Sequence, residues 1–386
     1  MRIRLKDAFD LQMGKTPARN TPSYWDGDHK WISIADIGSA GKYIATTKER
    51  ITDKAITESG IRAVPAHTVI MSFKLSIGKT AITSEEMYTN EAIMAFVSKG
   101  TYDIDADYLY HLCCGTEWTE GTNKAVMGLT LNKATLSEKR IPLPEITEQR
   151  NIAAKFDALD NVIEKTQSEL SSLDQLVKSR FVEMFENDRF PYTTIGNLVE
   201  RKVGTAKKDF ASTDTIKYID ISSIDNKRNM MTGYTEYILA DAPSRAQQHI
   251  CKGDIVVSTV RPNLKNVAST PFDDDNLVAS SGFCVLRPRK CLSSYLMAVV
   301  CSDEFTKAMT NVVTGANYPA IKDSDVMNYP VRQPPMDLQH EFAAFVAEVD
   351  KSKFRIQKSL STSRKLWTMA QIDAIMNMDF STQRSL

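Results

Sequence analysis

Loops that carry Lys, Arg and Asn are the segments of this chain best suited to a chemical task, and that task is contact with nucleic acid. Lys and Arg pair with phosphate groups, and Arg, Lys and Asn make paired hydrogen bonds to base edges. The loops form two sets about 190 residues apart. Each loop alone would count as a solvated surface loop, so the hypothesis rests on their recurrence. The candidate DNA-binding residues are Lys15, Arg19, Lys74, Lys79, Asn123, Lys124, Lys207, Lys208, Arg261, Asn263, Lys265, Asn317 and Tyr318.

The sequence contains no recognisable catalytic motif. The Gly-Lys-Thr triplets at residues 14–16 and 78–80 resemble the end of a phosphate-binding loop, but Phe9 and Phe73 stand where that motif needs another glycine. The acidic run 273–275 lacks the Glu-x-Lys partner of a nuclease centre. The five histidines are scattered and the six cysteines form no C-x-x-C pair, which predicts reduced thiols and no metal site. We therefore predict a chain that is not an enzyme and holds no cofactor of its own.

The chain is a tandem repeat of two halves, residues 1–190 and 191–386. Features of the first half recur in the second at a constant offset of 190 residues. A duplicated chain can form two similar lobes related by an approximate two-fold axis, which suits duplex DNA as a partner. The matched pairs include Pro144 and Pro334, Gln149 and Gln339, Asp160 and Asp350, and Leu170 and Leu360.

Each half ends in a long segment with the heptad spacing of a coiled coil. Thr147 and Asp337 are the expected helix N-caps. Lys353 and Ser363 interrupt the second seam, so there the helix either frays or faces another protein. We expect the two helices to pair as an antiparallel coiled coil, with two separate helical hairpins as the alternative. The expected helix-pairing residues are Ile152, Phe156, Leu159, Ile163, Leu170, Leu173 and Val177, and Phe342, Val346, Val349, Ile356, Leu360 and Trp367.

Residues 1–145 and 191–335, called here lobe 1 and lobe 2, contain short strand-like runs and two expected helices, at 105–114 and 293–309. We predict an α+β protein in which two similar mixed α/β domains with mainly antiparallel sheets form a pseudo-two-fold repeat. The helical spacers 146–190 and 336–386 separate them. The matched strand-like runs are 31–34 with 218–221, 69–72 with 255–258, and 92–97 with 282–287.

The amino-acid composition excludes few classes of binding partner for this protein. The 48 basic and 48 acidic residues give a net charge of zero, which counts mildly against a nucleic-acid binder. Phosphate contact nevertheless needs only a local basic face. No apolar run approaches the ~20 residues that span a bilayer, and the start of the chain lacks a secretory signal. We therefore expect a cytoplasmic protein without a membrane partner.

Residues 141–152 carry the clearest resemblance to a known family. They read Ile-Pro-Leu-Pro-Glu-Ile-Thr-Glu-Gln-Arg-Asn-Ile and lead into the first heptads. This run resembles a conserved helical region in the DNA specificity subunits of type I restriction–modification systems. Residues 129–133, and residues 14–17 followed by 31–33, also fit, and the resemblance covers essentially the whole chain. The second copy departs from the pattern at 337–341, which reads Asp-Leu-Gln-His-Glu.

The resemblance implies a sequence-specific DNA-binding subunit. Each lobe would be a target recognition domain that reads one half of a split, asymmetric target, with the halves about one helical turn (~34 Å) apart. Two methyltransferase subunits would bind S-adenosylmethionine, flip out an adenine in each half and methylate its N6 atom. Restriction/translocase subunits would join for cleavage. A protein-interaction scaffold is the alternative, and a fused methyltransferase is disfavoured because its motifs are missing.

Overall fold

The computed structural model describes residues 1–386 except 75, 119–122, 126–127, 187–188, 201, 315–318 and 377–386, and only the backbone at 123–125, 128–130 and 370–376. The chain divides into two compact units. Unit 1 comprises Met1–Gln167 and Lys358–Leu386, and unit 2 comprises Ser168–Gln357. No helix among the described residues is long and apolar enough to cross a bilayer.

Lobe 1 consists of short strands with helices between them. One sheet has the strand order β2-β9-β6-β7-β4, a second has the order β5-β3-β8, and β1 pairs with β12 where the ends of the lobe meet. The elements, ending with the first long helix, are β1 (Arg2–Arg4), α1 (Leu5–Ala8), β2 (Phe9–Met13), β3 (Trp25–Ile32), α2 (Ile34–Ser39), β4 (Tyr43–Ile44), β5 (Glu49–Ile51), α3 (Asp53–Ser59), β6 (Val69–Ser72), β7 (Thr80–Thr83), β8 (Tyr88–Thr89), β9 (Ile93–Ser98), α4 (Ala106–Gly115), β10 (Asn123–Ala125), β11 (Gly128–Thr130), α5 (Lys133–Glu138), β12 (Arg140–Pro142) and α6 (Ile146–Phe185).

Lobe 2 repeats this plan. One sheet has the order β23-β20-β21-β17-β16, a second has the order β14-β19-β22-β15-β18, and β13 pairs with β24. The elements are β13 (Tyr192–Thr194), α7 (Ile195–Leu198), β14 (Gly204–Thr205), α8 (Ala206–Asp209), β15 (Thr215–Ile219), β16 (Ile224–Asp225), β17 (Met230–Met231), β18 (Thr235–Ile238), β19 (Ala246–His249), β20 (Ile255–Ser258), β21 (Val267–Ser269), β22 (Leu277–Ser280), β23 (Phe283–Leu286), α9 (Ser293–Val300), α10 (Asp303–Asn311), α11 (Asp323–Met327), β24 (Pro330–Arg332) and α12 (Met336–Met376).

Both faces of the central strands are covered, which explains their unbroken apolar runs. In lobe 1, Val69 and Met71 pack in one core cluster with Tyr108 of α4, whereas Ile70 belongs to a second cluster that includes Ile32. The strand pairs are mainly antiparallel, and the parallel pairs are β3 with β8, β4 with β7, β15 with β22 and β17 with β21.

The helix expected at 293–309 is two helices, α9 and α10, so that expectation was wrong in one respect. The hydroxyl of Ser302 accepts a hydrogen bond from the backbone N–H of Phe305 at 3.1 Å. Ser302 is therefore the N-cap of a new helix, and its extended backbone ends the preceding one. The helix expected at 105–114 is α4.

The long helices carry their predicted seam residues on one face, where each is buried or half-buried. In unit 2 the ring of Phe342 packs on Phe181 and Phe185, with centroids 5.8 and 5.4 Å apart, and Lys353 pairs with Asp174 at 2.6 Å. Residue numbers rise along one helix as they fall along the other, so the pair is antiparallel. The predicted fold class, an α+β protein with two similar lobes and an antiparallel coiled coil, is thus confirmed.

Two details of the helices differ from expectation. The helix does not fray at Lys353, and this residue needs no other protein as its partner. Its ammonium pairs with Asp174 on the other helix. Thr147 and Asp337 are not N-caps, since α6 and α12 begin one residue before them. The carbonyls of Glu145 and Pro335 accept the first helical hydrogen bonds instead, at 3.0 and 3.3 Å.

Candidate nucleic-acid interface

In lobe 1, β2 and β6 stop at the end of the sheet where β9 begins, as the pairs Met13–Met94 and Ser72–Ile93 show. The loops 14–19 and 73–79 therefore both leave at this end, which we call the loop end. The backbone N–H of Leu131 donates to Phe73 O at 3.1 Å and brings the β10–β11 hairpin there as well. The structure thus gathers the first two predicted loops of lobe 1 at the loop end, together with the hairpin strands that carry the described part of the third, residues 123 and 124.

Gly14 holds the first loop against the sheet. Its N–H donates to Ile93 O at 3.1 Å, and the N–H of Lys15 donates to Thr89 O at 2.8 Å. A Cβ atom on Gly14 would lie 2.2 Å from that same Thr89 oxygen, so only glycine permits the approach.

Several cations of lobe 1 are occupied by contacts within the lobe. The guanidinium of Arg19 lies over the rings of Trp25 and Trp31, 4.1 and 4.9 Å from their centroids. It also pairs with Glu49, with 3.1 Å between Nη2 and Oε2, and this hydrogen bond raises the pKa of Arg19. The ammonium of exposed Lys15 donates to the carbonyl of Ser59.

The remaining candidate DNA-binding residues of lobe 1 differ in exposure and in side-chain contacts. The half-buried Lys74 places its ammonium 5.2 Å from the ring centroid of Phe73. Lys79 is exposed, and no described residue forms an ion pair with it. Asn123 and Lys124 lie on β10, for which the backbone alone is described.

Lobe 2 has an equivalent loop end, where β20 stops at Ser258 opposite the first residue of β23. The loop 259–266 leaves there and turns through a 3-10 helix at Pro262–Leu264. Arg261 and Lys265 flank that turn with positive φ angles of 49° and 52°, so the loop backbone is held in an unusual conformation. Buried Pro262 anchors the turn.

Pro319 and Ala320 lie beside the loop 259–266. The N–H of Arg261 donates to Pro319 O at 2.8 Å, and Val260 forms an antiparallel bridge with Ala320. Thr314, Pro319 and Ala320, which flank the undescribed part of the third predicted loop, therefore lie beside the second predicted loop. Asn317 and Tyr318, which were candidates on this loop, lie outside the described residues.

Most of the candidate DNA-binding cations of lobe 2 have no partner among the described residues. The side chains of Arg261 and Asn263 are exposed, and within the described part of the chain neither makes a hydrogen bond or ion pair. Lys207 and Lys208, on the short helix α8 against β19, are likewise exposed and unpaired among described residues. Lys265 is the exception, because it pairs with Asp303 and this hydrogen bond lowers the pKa of that carboxyl group.

Gly204 does not take the place that Gly14 has in lobe 1, although both glycines keep the offset of 190 residues. Gly204 pairs with His249 in the β14–β19 ladder, which belongs to the other sheet of its lobe. The basic residues that follow it therefore approach the loop end along a different strand from those that follow Gly14.

Large apolar side chains are exposed on the long helices, and sequence reasoning missed them. Val162 and Leu366 of unit 1 are 47% and 52% exposed, and Leu176 of unit 2 is 47% exposed. All three occupy heptad position g when the seam residues are assigned to a and d. The heptad register could have found these three, but not Val182, Phe354 and Met369, which are exposed on the same helices at other heptad positions.

The described residues contain no cluster of His, Cys, Asp or Glu side chains that could hold a metal ion. Two similar lobes with basic loops at one sheet end, together with two antiparallel helices, define a tandem recognition protein. A family model described as the type I restriction modification DNA specificity domain matches the chain twice, over residues 1–174 and 189–363. The chain belongs to this family. It is accordingly a DNA-recognition protein of a type I restriction–modification system, and not an enzyme.

Relatives extend over nearly the whole chain. The specificity subunit of the type I restriction enzyme MjaIX from Methanocaldococcus jannaschii is 23% identical, across 94% of this chain and 89% of that protein. The MjaVIII specificity subunit of the same organism is 21% identical, across 98% of this chain and 94% of that protein.

Solved structures share the fold. A chain from a type I restriction–modification system has a TM-score of 0.60 at 16% identity, with 97% of each chain covered. The type I system S subunit from M. genitalium has a TM-score of 0.53 at 14% identity, with 97% of this chain and 96% of that chain covered.

Proposed function

We propose that the chain recognises a bipartite, asymmetric DNA target, with one lobe for each half. The observation that carries this proposal is the pair of loop ends. Equivalent strands, β6 with β9 and β20 with β23, support loops of different sequence in the two lobes. A common scaffold with different loops suits the recognition of two different half-sites.

Within each lobe, the loop residues differ in whether they contact phosphates or base edges. Exposed lysines such as Lys207 and Lys208 form ion pairs with phosphates, which position the protein without reading sequence. Arg261 and Asn263 sit on a loop whose backbone is anchored by buried Pro262, and their side chains suit bidentate contacts to guanine and adenine. Lys15, Lys79 and Lys124 are the corresponding candidates in lobe 1.

The partners are two methyltransferase subunits and restriction/translocase subunits that act where this chain binds. The exposed apolar side chains of Val162, Leu366 and Leu176 support protein docking along the helices, because such residues lose water contact when a partner covers them. The methyl donor S-adenosylmethionine binds to the methyltransferase and no cofactor binds to this chain. The assembled complex works in the cytoplasm.

A lobe exchange tests the proposal. Residues 191–335 are replaced by the matching lobe of a relative, and modified adenines are then mapped by sequencing host DNA. We expect one half of the recognised sequence to change while the other half and the gap remain. The matched control replaces residues 1–145 and should change only the other half. Changes in both halves, or in neither, from a single exchange would contradict the proposal.

The zero net charge raised the alternative of a protein-interaction scaffold, and membership of a DNA specificity family argues against it. A salt titration of binding to random duplex separates the two functions. A DNA reader loses affinity steeply as salt rises, since its cations displace counterions from the phosphates. A scaffold would show little binding to duplex at any salt concentration.

A further inference from the structure

The turn that links the two sheets of lobe 2 lies at its loop end. This turn, residues 280–282, begins at the last residue of β22 and leads into β23. On one side, the N–H of Thr259 donates to Gly282 O at 2.9 Å. On the other side, the N–H of Ser281 donates to Arg245 O at 2.8 Å. Arg245 therefore borders the same turn as the loop that carries Arg261.

The equivalent turn in lobe 1 is residues 90–92, between β8 and β9. The N–H of Phe73 donates to the last carbonyl of this turn at 3.0 Å. On the opposite side, the N–H of Lys15 donates to Thr89 O, just before the turn, at 2.8 Å. Lys15 thus borders the turn of lobe 1 on the side where Arg245 borders the turn of lobe 2.

The two lobes also share a backbone contact on this side of the turn. Val64 N–H donates to Met87 O at 2.7 Å, and Ile250 N–H donates to Leu277 O at 3.1 Å. The preceding segments differ, because Ser59 ends α3 whereas Arg245 leads into β19. The ammonium of Lys15 donates to the carbonyl of Ser59. Both lobes therefore place a cation beside the turn, Lys15 in lobe 1 and Arg245 in lobe 2, and they take it from different segments of the chain.

The side chain of Arg245 is exposed, whereas its backbone is fixed by hydrogen bonds. The residue is exposed, and among the described residues its guanidinium has no hydrogen bond or ion pair. Its carbonyl is fixed by Ser281, and the adjacent Ala246 N–H donates to Pro243 O at 2.8 Å. By contrast, Arg19 of lobe 1 is held by Glu49. A planar guanidinium with unused donors on a fixed backbone suits bidentate hydrogen bonding.

We propose that Arg245 contacts a guanine edge in the half of the target that lobe 2 reads. This inference rests on the proposed function and assigns a specificity-determining residue to it. Arginine bonded to O6 and N7 of guanine discriminates that base from the others in the major groove. Arg245 and Arg261, one on each side of the turn 280–282, then contact neighbouring parts of the same half-site.

The test uses the complex of the full chain with its methyltransferase and a DNA library with both halves of the target randomised. Arg245→Gln and Arg245→Lys are compared with Arg289→Gln. Arg289 is exposed and unpaired among described residues, but it follows the opposite end of β23. We expect Arg245→Gln to lower affinity for the target roughly five- to 150-fold and to relax preference at one base pair of the second half. Arg289→Gln should leave both the affinity for the target and the base preference unchanged.

The possible results distinguish a failure of this inference from a failure of the proposed function. If the wild-type complex shows no preference in the second half, the proposed function fails and the inference fails with it. If the wild type shows preference and Arg245→Gln keeps it at every position, only the inference is overturned. An equal loss of affinity for all sequences would indicate a phosphate contact and also overturn it. Arg245→Lys keeps the charge without the planar fork, so we expect it to retain affinity for random DNA and still lose the base preference.

Discussion

Gln149 and Gln339 share two buried hydrogen bonds in their respective units, and Gln149 adds a third, to Asp103 O at 3.0 Å. Each side chain is 1% exposed, and each amide nitrogen donates to the carbonyl of the proline five residues earlier, at 3.0 Å for Gln149 and 2.9 Å for Gln339. Each amide oxygen accepts the backbone N–H at the start of a lobe helix, from Asp105 at 2.9 Å and from Leu292 at 2.8 Å. One side chain per unit therefore joins the first turn of a long helix to its lobe.

Replacing Gln149 by Leu should destabilise unit 1. The substitution keeps the approximate volume but removes the partner of the Asp105 N–H and the donor to the carbonyls of Pro144 and Asp103. An unsatisfied buried group costs about 1–3 kcal/mol, so we expect a loss of that order in the free energy of unfolding. Urea denaturation followed by tryptophan fluorescence measures it, because all four tryptophans (Trp25, Trp31, Trp118 and Trp367) belong to unit 1.

Gln167→Leu is the matched control for this experiment. Gln167 lies on the same helix but is exposed, and the described residues offer it no hydrogen-bond partner. Its replacement should change the free energy of unfolding by less than about 0.5 kcal/mol. Equal effects of the two substitutions would show that Gln149 does not join helix and lobe.

His111 forms a second junction between lobe 1 and α6. Its ring is 1% exposed, stacks on Phe156 at 5.2 Å, and places Nε2 2.7 Å from an Asp157 oxygen. Lys42 pairs with the same carboxylate at 2.6 Å. Burial lowers the pKa of His111, although the hydrogen bond to Asp157 opposes this shift. The Nδ1 atom is buried and has no hydrogen-bond partner among the described residues, and it lies 3.8 Å from a carboxylate oxygen of Asp160.

The lowered pKa of His111 predicts that unit 1 loses stability as pH falls. Below about pH 6.5 the unfolded chain binds a proton at this histidine, whereas the folded unit does not until its lower pKa is reached. The free energy of unfolding should therefore decrease as pH falls below about 6.5. Tryptophan fluorescence during urea denaturation at several pH values measures this. His111→Gln should flatten the decrease, while exposed His340→Gln should not, and an unchanged slope in His111→Gln would rule out this residue as the cause.

Lys207 and Lys208 should contribute to the salt dependence of DNA binding. Each phosphate contact adds roughly 0.9 to the slope of log affinity against log salt concentration. Replacing both lysines by Gln should reduce the slope by about 2 and weaken binding to all sequences similarly. Arg289→Gln with Lys290→Gln is the control that removes the same charge beyond the opposite end of β23. A slope equal to that of the control would exclude phosphate contacts at α8.

Lengthening both long helices should lengthen the tolerated gap between the half-sites. Seven residues inserted after Ser168 and seven after Lys358 keep the a and d positions aligned and add about 10 Å, or ~3 base pairs, to the helix pair. Mapping of modified adenines reports the gap directly. An insertion after Ser168 alone mismatches the seams and should abolish recognition. An unchanged gap in the double insertion would argue against a spacer role.

The heptads and the repeat were visible in the sequence because they depend on local periodicity. Positions four and three residues apart meet on one face of any helix, so Ile152 and Phe342 could be placed on seams without coordinates. The constant offset between Gln149 and Gln339 similarly predicted a duplicated architecture. Family resemblance then added the function, which neither composition nor net charge indicated.

Only the tertiary structure decided which loops lie together and which cations remain unpaired. Arg19 looked as available as Arg261 in the sequence, but a distant glutamate and two tryptophans engage it. Arg245 was overlooked because its place beside the turn 280–282 depends on strands far apart in the chain. Lys353 meets its carboxylate partner across the seam for the same reason. Contacts between distant segments follow from how sheets and helices pack, and that packing leaves no local periodic signal in the sequence.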